Sequence, residues 1–262
     1  MTSKWITRPI AATFALLICV AVSQAVLLAE DWPTYRHDRL RSAVSGEKLE
    51  LPLERIWEFR SSQSHAAPKP TVEPARINYP ECVAFSLPMV AAGDLVFCTS
   101  SADGRVLALD AATGKPQWQF TAGGGVNRAP MFSAGKLYFG SDDGFVYCLN
   151  AETGTVVWKF NAAPADRWLI AYGKLKSVWP IMTDIMVDDG VAYFAAGIFP
   201  HDGTFLYAVD AKTGELKWRN GTVSENLWRL ALAPGGYLYV TKQEIWVPKD
   251  YRGYSLPYYG AP

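Results

Sequence analysis

The chain has 262 residues, with 25 Lys plus Arg against 25 Asp plus Glu, and half of its residues are hydrophobic. That length and apolar content suffice to bury a sizeable core, and 21 Gly, 17 Pro and 10 Trp argue for many strands joined by tight turns rather than for disorder. No basic surplus or basic stripe is available to neutralise phosphates, which speaks against a nucleic-acid ligand.

At the N-terminus, Lys4 and Arg8 precede an uncharged run from Ile10 to Val22, and small residues follow at Ser23, Ala25 and Ala29. This is the pattern of a secretory signal peptide over residues 1–29, cleaved after Ala25 or Ala29. The other reading is an uncleaved anchor, because Ile10 to Ala29 is long and apolar enough to span a bilayer. Both predict an exported protein, periplasmic, in the cell envelope or secreted, that meets a membrane only through this segment. Residues 30–53 read as an N-terminal arm. Beyond the leader, Cys82, Cys98 and Cys148 are odd in number and lack CxxC spacing, so they define neither a zinc site nor a closed disulfide framework.

Arg55-Ile56-Trp57-Glu58-Phe59 stands alone as one short aromatic strand. A repeat then begins. Gly104 to Phe120 (GRVLALDAATGKPQWQF) returns about forty residues later as Gly144 to Phe160 (GFVYCLNAETGTVVWKF), a spacing that signals a solenoid or a propeller. A third copy, Leu206 to Trp218, follows an insertion. Each copy reads as a strand, a tight turn and a strand. A second hairpin precedes it, clearest as Pro130 to Ser133, a turn at Ala134-Gly135, and Lys136 to Gly140. The unit is therefore four antiparallel strands, one blade of a β-propeller. Inner strands start at Leu87-Pro88-Met89, Ala129-Pro130-Met131 and Trp179-Pro180-Ile181, and more loosely at Leu227 to Leu230, giving an all-β arc of about three complete blades plus partial ones over residues 54–262. The inserted stretch near 161–178 reads as a surface loop that carries recognition or covers an edge.

The run from Ala108 to Trp118, with Asp110, Thr113, Gly114 and Trp118 in place, resembles the tryptophan-docking motif of the pyrroloquinoline quinone (PQQ) repeat propellers. That superfamily includes the quinoprotein alcohol dehydrogenases and the outer-membrane assembly component BamB. The second copy keeps Asn150, Thr153, Gly154 and Trp158, with Cys148 where the others have Ala108 and Ala208; the third keeps Asp210, Thr213, Gly214 and Trp218. Trp57 and Phe59 stand where Trp118 and Phe120 stand, so residues 55–59 read as the outer strand of a blade whose inner strands lie elsewhere. All of these are expected to be structural: each Trp covers the small residue of the neighbouring blade at Ala108, Cys148 or Ala208 and its indole N–H finds a backbone acceptor, while Asp110, Asn150 and Asp210 cap the turn.

No catalytic residue and no metal ligand set can be argued. Asp184 and Asp189 are available carboxylates, but Asp188-Asp189-Gly190, like Asp142-Asp143-Gly144, reads as a turn, and His65 and His201 are isolated. The resemblance to dehydrogenases would imply PQQ with calcium and often two adjacent cysteines; no adjacent cysteines occur. Starts of the inner strands should ring a central channel, which nominates Asn127, Arg128, Trp179, Asn226, Trp228 and Arg229 as a weak cofactor or ligand set, Arg and Trp being common at binding hot spots. Packing and pairing with acidic loops is the plainer account of the same residues. The expectation is a non-catalytic binding or assembly scaffold, BamB-like, with a protein partner at a propeller face or edge. The alternatives are the N-terminal part of a PQQ-dependent dehydrogenase and a propeller module joined to another enzyme domain.

Overall fold

A computed structural model describes residues 30–49, 51–60, 88–171, 174–199, 202–223, 227–233 and 237–242. Strands β1 (Met89–Ala92), β2 (Leu95–Thr99), β3 (Arg105–Asp110) and β4 (Pro116–Thr121) form one four-stranded antiparallel sheet in chain order. A second consists of β5 (Met131–Ser133), β6 (Lys136–Gly140), β7 (Phe145–Asn150) and β8 (Val156–Asn161). After an inserted two-stranded ribbon, β9 (Trp168–Ala171) with β10 (Lys174–Ser177), comes the third, β11 (Met186–Asp188), β12 (Val191–Ala196), β13 (Thr204–Asp210) and β14 (Leu216–Val223). β15 (Leu227–Ala233) and β16 (Tyr237–Lys242) pair as the first two strands of a fourth. Among the described residues these are three complete propeller blades and part of another, with no closed barrel. No helix among the described residues is long and apolar enough to cross a membrane.

Blade stacking accounts for the sequence pattern. The middle strands are covered on both faces, by neighbouring blades or, for Leu107 and Leu109, by Trp57 and Phe59, so Val106 to Leu109 and Val146 to Leu149 are continuous apolar runs, buried throughout. The outer strand β4 meets water on alternate residues. Aromatic rings fill the space between blades: Phe120 meets the stacked pair Phe139 and Tyr147 edge-on, and Phe160 repeats this with Phe194 and Tyr207. The first strands converge, β1 approaching β5, β5 approaching β11 and β11 approaching β15, which makes their free edges the inner rim of the arc.

The hairpin turns follow from their residues. Ala134-Gly135 and Asp189-Gly190 all have positive φ (47°, 71°, 44° and 72°), the left-handed pair that a two-residue hairpin requires. Asp142-Asp143-Gly144 behaves differently from a plain turn, because both carboxylates are buried and bonded. The segment near 161–178 is more than a loop: Trp168 to Ser177 closes into the β9–β10 ribbon, with Ile170 opposite Leu175. Cys82 and the stretch 243–262 lie outside the described residues, as do His65 and His201. Cys98 and Cys148 are free and buried. Burial pushes their thiols up, to about 11 and about 12, so neither is a thiolate nucleophile at neutral pH.

Candidate functional site

Three Trp–turn junctions share one construction, two between blades and one between the first blade and residues 55–59, which were read as an outer strand but form no strand among the described residues. Asp110 Oδ1 accepts the backbone N–H and the hydroxyl of Thr113, both at 2.7 Å, and Gly114 N–H closes on Asp110 O at 2.8 Å. Asn150 and Asp210 hold Thr153 and Thr213 in the same way. Gly114, Gly154 and Gly214 take φ of 69°, 70° and 76°, and each lies under a Trp from the preceding blade position. A methyl group at Gly114 would stand 2.6 Å from Trp57, one at Gly154 2.6 Å from Trp118, and one at Gly214 2.7 Å from Trp158. Indole N–H groups of Trp57, Trp118 and Trp158 donate to the carbonyls of Ala111, Ala151 and Ala211 at 2.8, 2.9 and 3.1 Å.

The glycine of the turn therefore makes the close approach. Ala108, Cys148 and Ala208 instead face Trp118, Trp158 and Trp218 across strands of their own blade. A register shift follows each of these pairs, so Gln117, Val157 and Lys217 are extra residues in the outer strand. Such a bulge re-aims a side chain, here the Trp towards the next turn. Trp218 has no Thr–Gly turn after it among the described residues and is 42% exposed, against 8% for Trp158.

The channel-face candidates divide. Asn127 donates to Asp142 Oδ1 at 2.8 Å, Arg128 Nε to the Met182 carbonyl at 3.1 Å, and Trp179 Nε1 to the carbonyls of Asp202 and Gly203 at 3.1 Å. Arg167 lies over the Trp179 ring and pairs with Asp202 at 2.8 Å. These three side chains tie loops together. Asn226 lies outside the described residues, and Trp228 and Arg229 are described only as backbone of β15.

What occupies the rim is the N-terminal arm, running past the four first strands in order. Trp32 and Ala91 of β1 exchange two backbone hydrogen bonds, at 2.8 and 3.0 Å. Phe132 of β5 donates to the Pro33 carbonyl at 2.7 Å, Arg39 pairs with Asp188 of β11 at 2.8 Å, and Arg41 Nε donates to the Leu230 carbonyl of β15 at 3.2 Å. Arg41 also donates to Thr34 Oγ1 and the Tyr35 carbonyl, and its guanidinium lies 3.9 Å from the buried Asp184 carboxylate. Sequence reasoning named this segment an arm without giving it a role; the density of Trp, Pro, Tyr and Arg between residues 32 and 41 was the available signal.

A second feature lies on the face opposite the Thr–Gly turns. Lys174 donates to the Ser101 carbonyl at 2.7 Å and Lys176 pairs with Asp142 at 2.8 Å, which lays the ribbon over the first two blades. Burial, aided by the neighbouring Lys176 charge, lowers the Lys174 ammonium below its usual range. Asp143 accepts from Tyr147 at 2.6 Å and from Gly123 N–H at 3.0 Å. The outward ribbon face carries Trp168, Ile170 and Leu175, exposed by 45, 79 and 61%.

Calcium with a quinone would need a cluster of carboxylate and amide donors. Among the described residues no three His, Cys, Asp or Glu side chains gather where a metal could sit, and the rim carboxylate Asp184 faces a guanidinium instead.

Comparison with known proteins bears on family and fold. Residues 54–169 match the family described as outer membrane protein assembly factor BamB. A europium-containing methanol dehydrogenase superposes with a TM-score of 0.53 at 17% identity, over 75% of this chain and 32% of that one. The quinohemoprotein alcohol dehydrogenase of Comamonas testosteroni gives 0.47 at 20% identity, over 73% and 27%. BamB of Moraxella catarrhalis gives 0.38 at 20%, over 59% and 57%. The chain thus spans about a third of the methanol dehydrogenase it matches. No curated protein matches this sequence.

Proposed function

We propose that this chain, whose repeats and blades are those of the PQQ-like-repeat propellers, is an exported, non-catalytic scaffold that binds a protein partner in the cell envelope. The observation that carries this reading is the filled rim. The inner rim, where the first strands of the blades converge, holds the chain's own residues 32–41, and the buried rim carboxylate Asp184 faces Arg41. Apart from the rim, the exposed ribbon face of Trp168, Ile170 and Leu175 is a further surface of the aromatic and aliphatic kind that interfaces bury.

Export rests on the leader pattern of residues 1–29, and the envelope partner on the assembly-factor family matched by residues 54–169. Titration of the mature chain with PQQ and calcium, followed by Trp fluorescence, tests the reading. The expected result is no saturable change; saturable quenching with a defined stoichiometry would overturn it in favour of a dehydrogenase module.

A further inference from the structure

The arm is seated as a ligand is seated. It pairs with the free edge of β1 through the reciprocal Trp32 and Ala91 bonds, and Asp31 Oδ1 accepts from Gly93 N–H at 2.7 Å. It then reaches β5 through the Pro33 carbonyl. This single antiparallel bridge to a free sheet edge is the contact by which an extended peptide begins to add to a sheet, a common mode of recognition in which backbone bonds give affinity and side-chain pockets give specificity. The pocket here takes Arg41, 9% exposed at its side chain, between the Leu230 carbonyl and Asp184.

Two features set this segment apart from a permanent core element. Arg36, His37, Arg41 and Ala43 all adopt positive φ, between 57° and 75°, although none is glycine. Such residues store strain that the surroundings must hold in place. In addition, the buried Nδ1 of His37 has no hydrogen-bond partner among the described residues, while Nε2 reaches Glu30 at 3.2 Å. A buried polar atom without a partner weakens the seat. Release of the arm would relieve both.

We propose that the inner rim formed by β1, β5, β11 and β15 is a binding site for an extended peptide segment of a protein partner, which pairs with β1 and places an arginine beside Asp184. Residues 31–41 hold that site in cis as a displaceable strap. This rests on the scaffold reading above and names the chemistry of its partner, yet it is tested separately: PQQ binding would refute the scaffold reading, whereas the exchange experiment refutes only the peptide site.

The experiment uses the folded mature chain with a specific protease site inserted between Gly46 and Glu47, both exposed, and cut only after folding, with near-ultraviolet circular dichroism checking that the body stays intact. A fluorescein-labelled peptide of residues 30–46 is then added and followed by anisotropy. The labelled peptide is expected to replace the cut arm and to be competed off by unlabelled peptide. A competitor carrying Arg41→Ala should be about tenfold weaker, because it leaves Asp184 buried without its cation, whereas Arg39→Ala, whose pair is half exposed, should stay within about twofold. A cut arm that never exchanges would make the segment a fixed structural element. Failure of both arm and peptide to bind, or equal competition by Arg41→Ala, would also overturn the proposal. Exchange of intact arms between copies, seen as a concentration-dependent dimer, would assign the site to a second copy and overturn the partner.

Discussion

The outer belt and the inner rim of this arc are held by opposite strategies. The belt repeats one contact three times, an indole over a turn glycine with its N–H on an alanine carbonyl, at Trp57, Trp118 and Trp158. The rim is made once, by an arm of unrepeated sequence that touches each first strand with a different group. Repetition lets each junction be stable by itself, as expected of a quasi-one-dimensional array. A unique segment ties junctions together and is the part that can be exchanged without dismantling a blade.

The strongest way to break the belt is at a docked ring. Trp158→Ala removes a buried indole and its bond to Ala211, and unfolding in urea should show a loss of about 3–5 kcal/mol. Trp218→Ala, which removes a ring 42% exposed and without a turn beneath it among the described residues, should cost no more than about 1 kcal/mol. Equal losses would mean that docking is not what holds the belt.

A smaller effect separates turn geometry from docking. Gly154→Ala adds a methyl at positive φ and drives it into Trp118, for a loss of about 3 kcal/mol and a shift in Trp emission. Gly135→Ala has the same φ problem but open space around it, so thermal unfolding should report only about 1 kcal/mol and no change in emission.

The smallest effect sharpens the comparison among the belt turns themselves. The Thr113 hydroxyl and N–H hold the Asp110 carboxyl below its ordinary range, and the N–H groups of Thr213 and Lys212 do the same for Asp210. A carboxylate with a depressed folded value contributes above the ordinary aspartate range and loses that contribution as pH falls through the depressed value. In an acid NMR titration the amides of Thr113 and Thr213 should shift there, while that of Thr153, held by the neutral Asn150 amide, should not. Parallel movement of all three would show that the capping charge plays no part.

The belt was legible because its chemistry recurs. Thr113, Gly114 and Trp118 return in register in both later copies, with Asn150 or Asp210 in the place of Asp110, and only a repeated docking contact asks for the same Gly and Trp at the same spacing. The bulge that re-aims each Trp was not legible, since Gln117, Val157 and Lys217 share no chemistry; what they share is a place in the hydrogen-bond register. The ribbon was read as a loop because two strands of four residues, with Trp168, Leu169 and Ile170 apolar in a row, give too short a period to separate from irregular chain. Asn127, Arg128 and Trp179 were chosen as ligand groups from their position and type. Their partners, Asp142, the Met182 carbonyl and the carbonyls of Asp202 and Gly203, come from loops distant in sequence.

What the sequence by itself determined is the blade: strand alternation, turn residues and the spacing of Gly and Trp are local, and local rules suffice to read them. What only the tertiary structure decided is the occupancy of the rim. Arg41 meets Leu230 across 189 positions and Asp184 across 143, and no periodicity connects an arm that occurs once to strands that converge on it only after the blades have stacked.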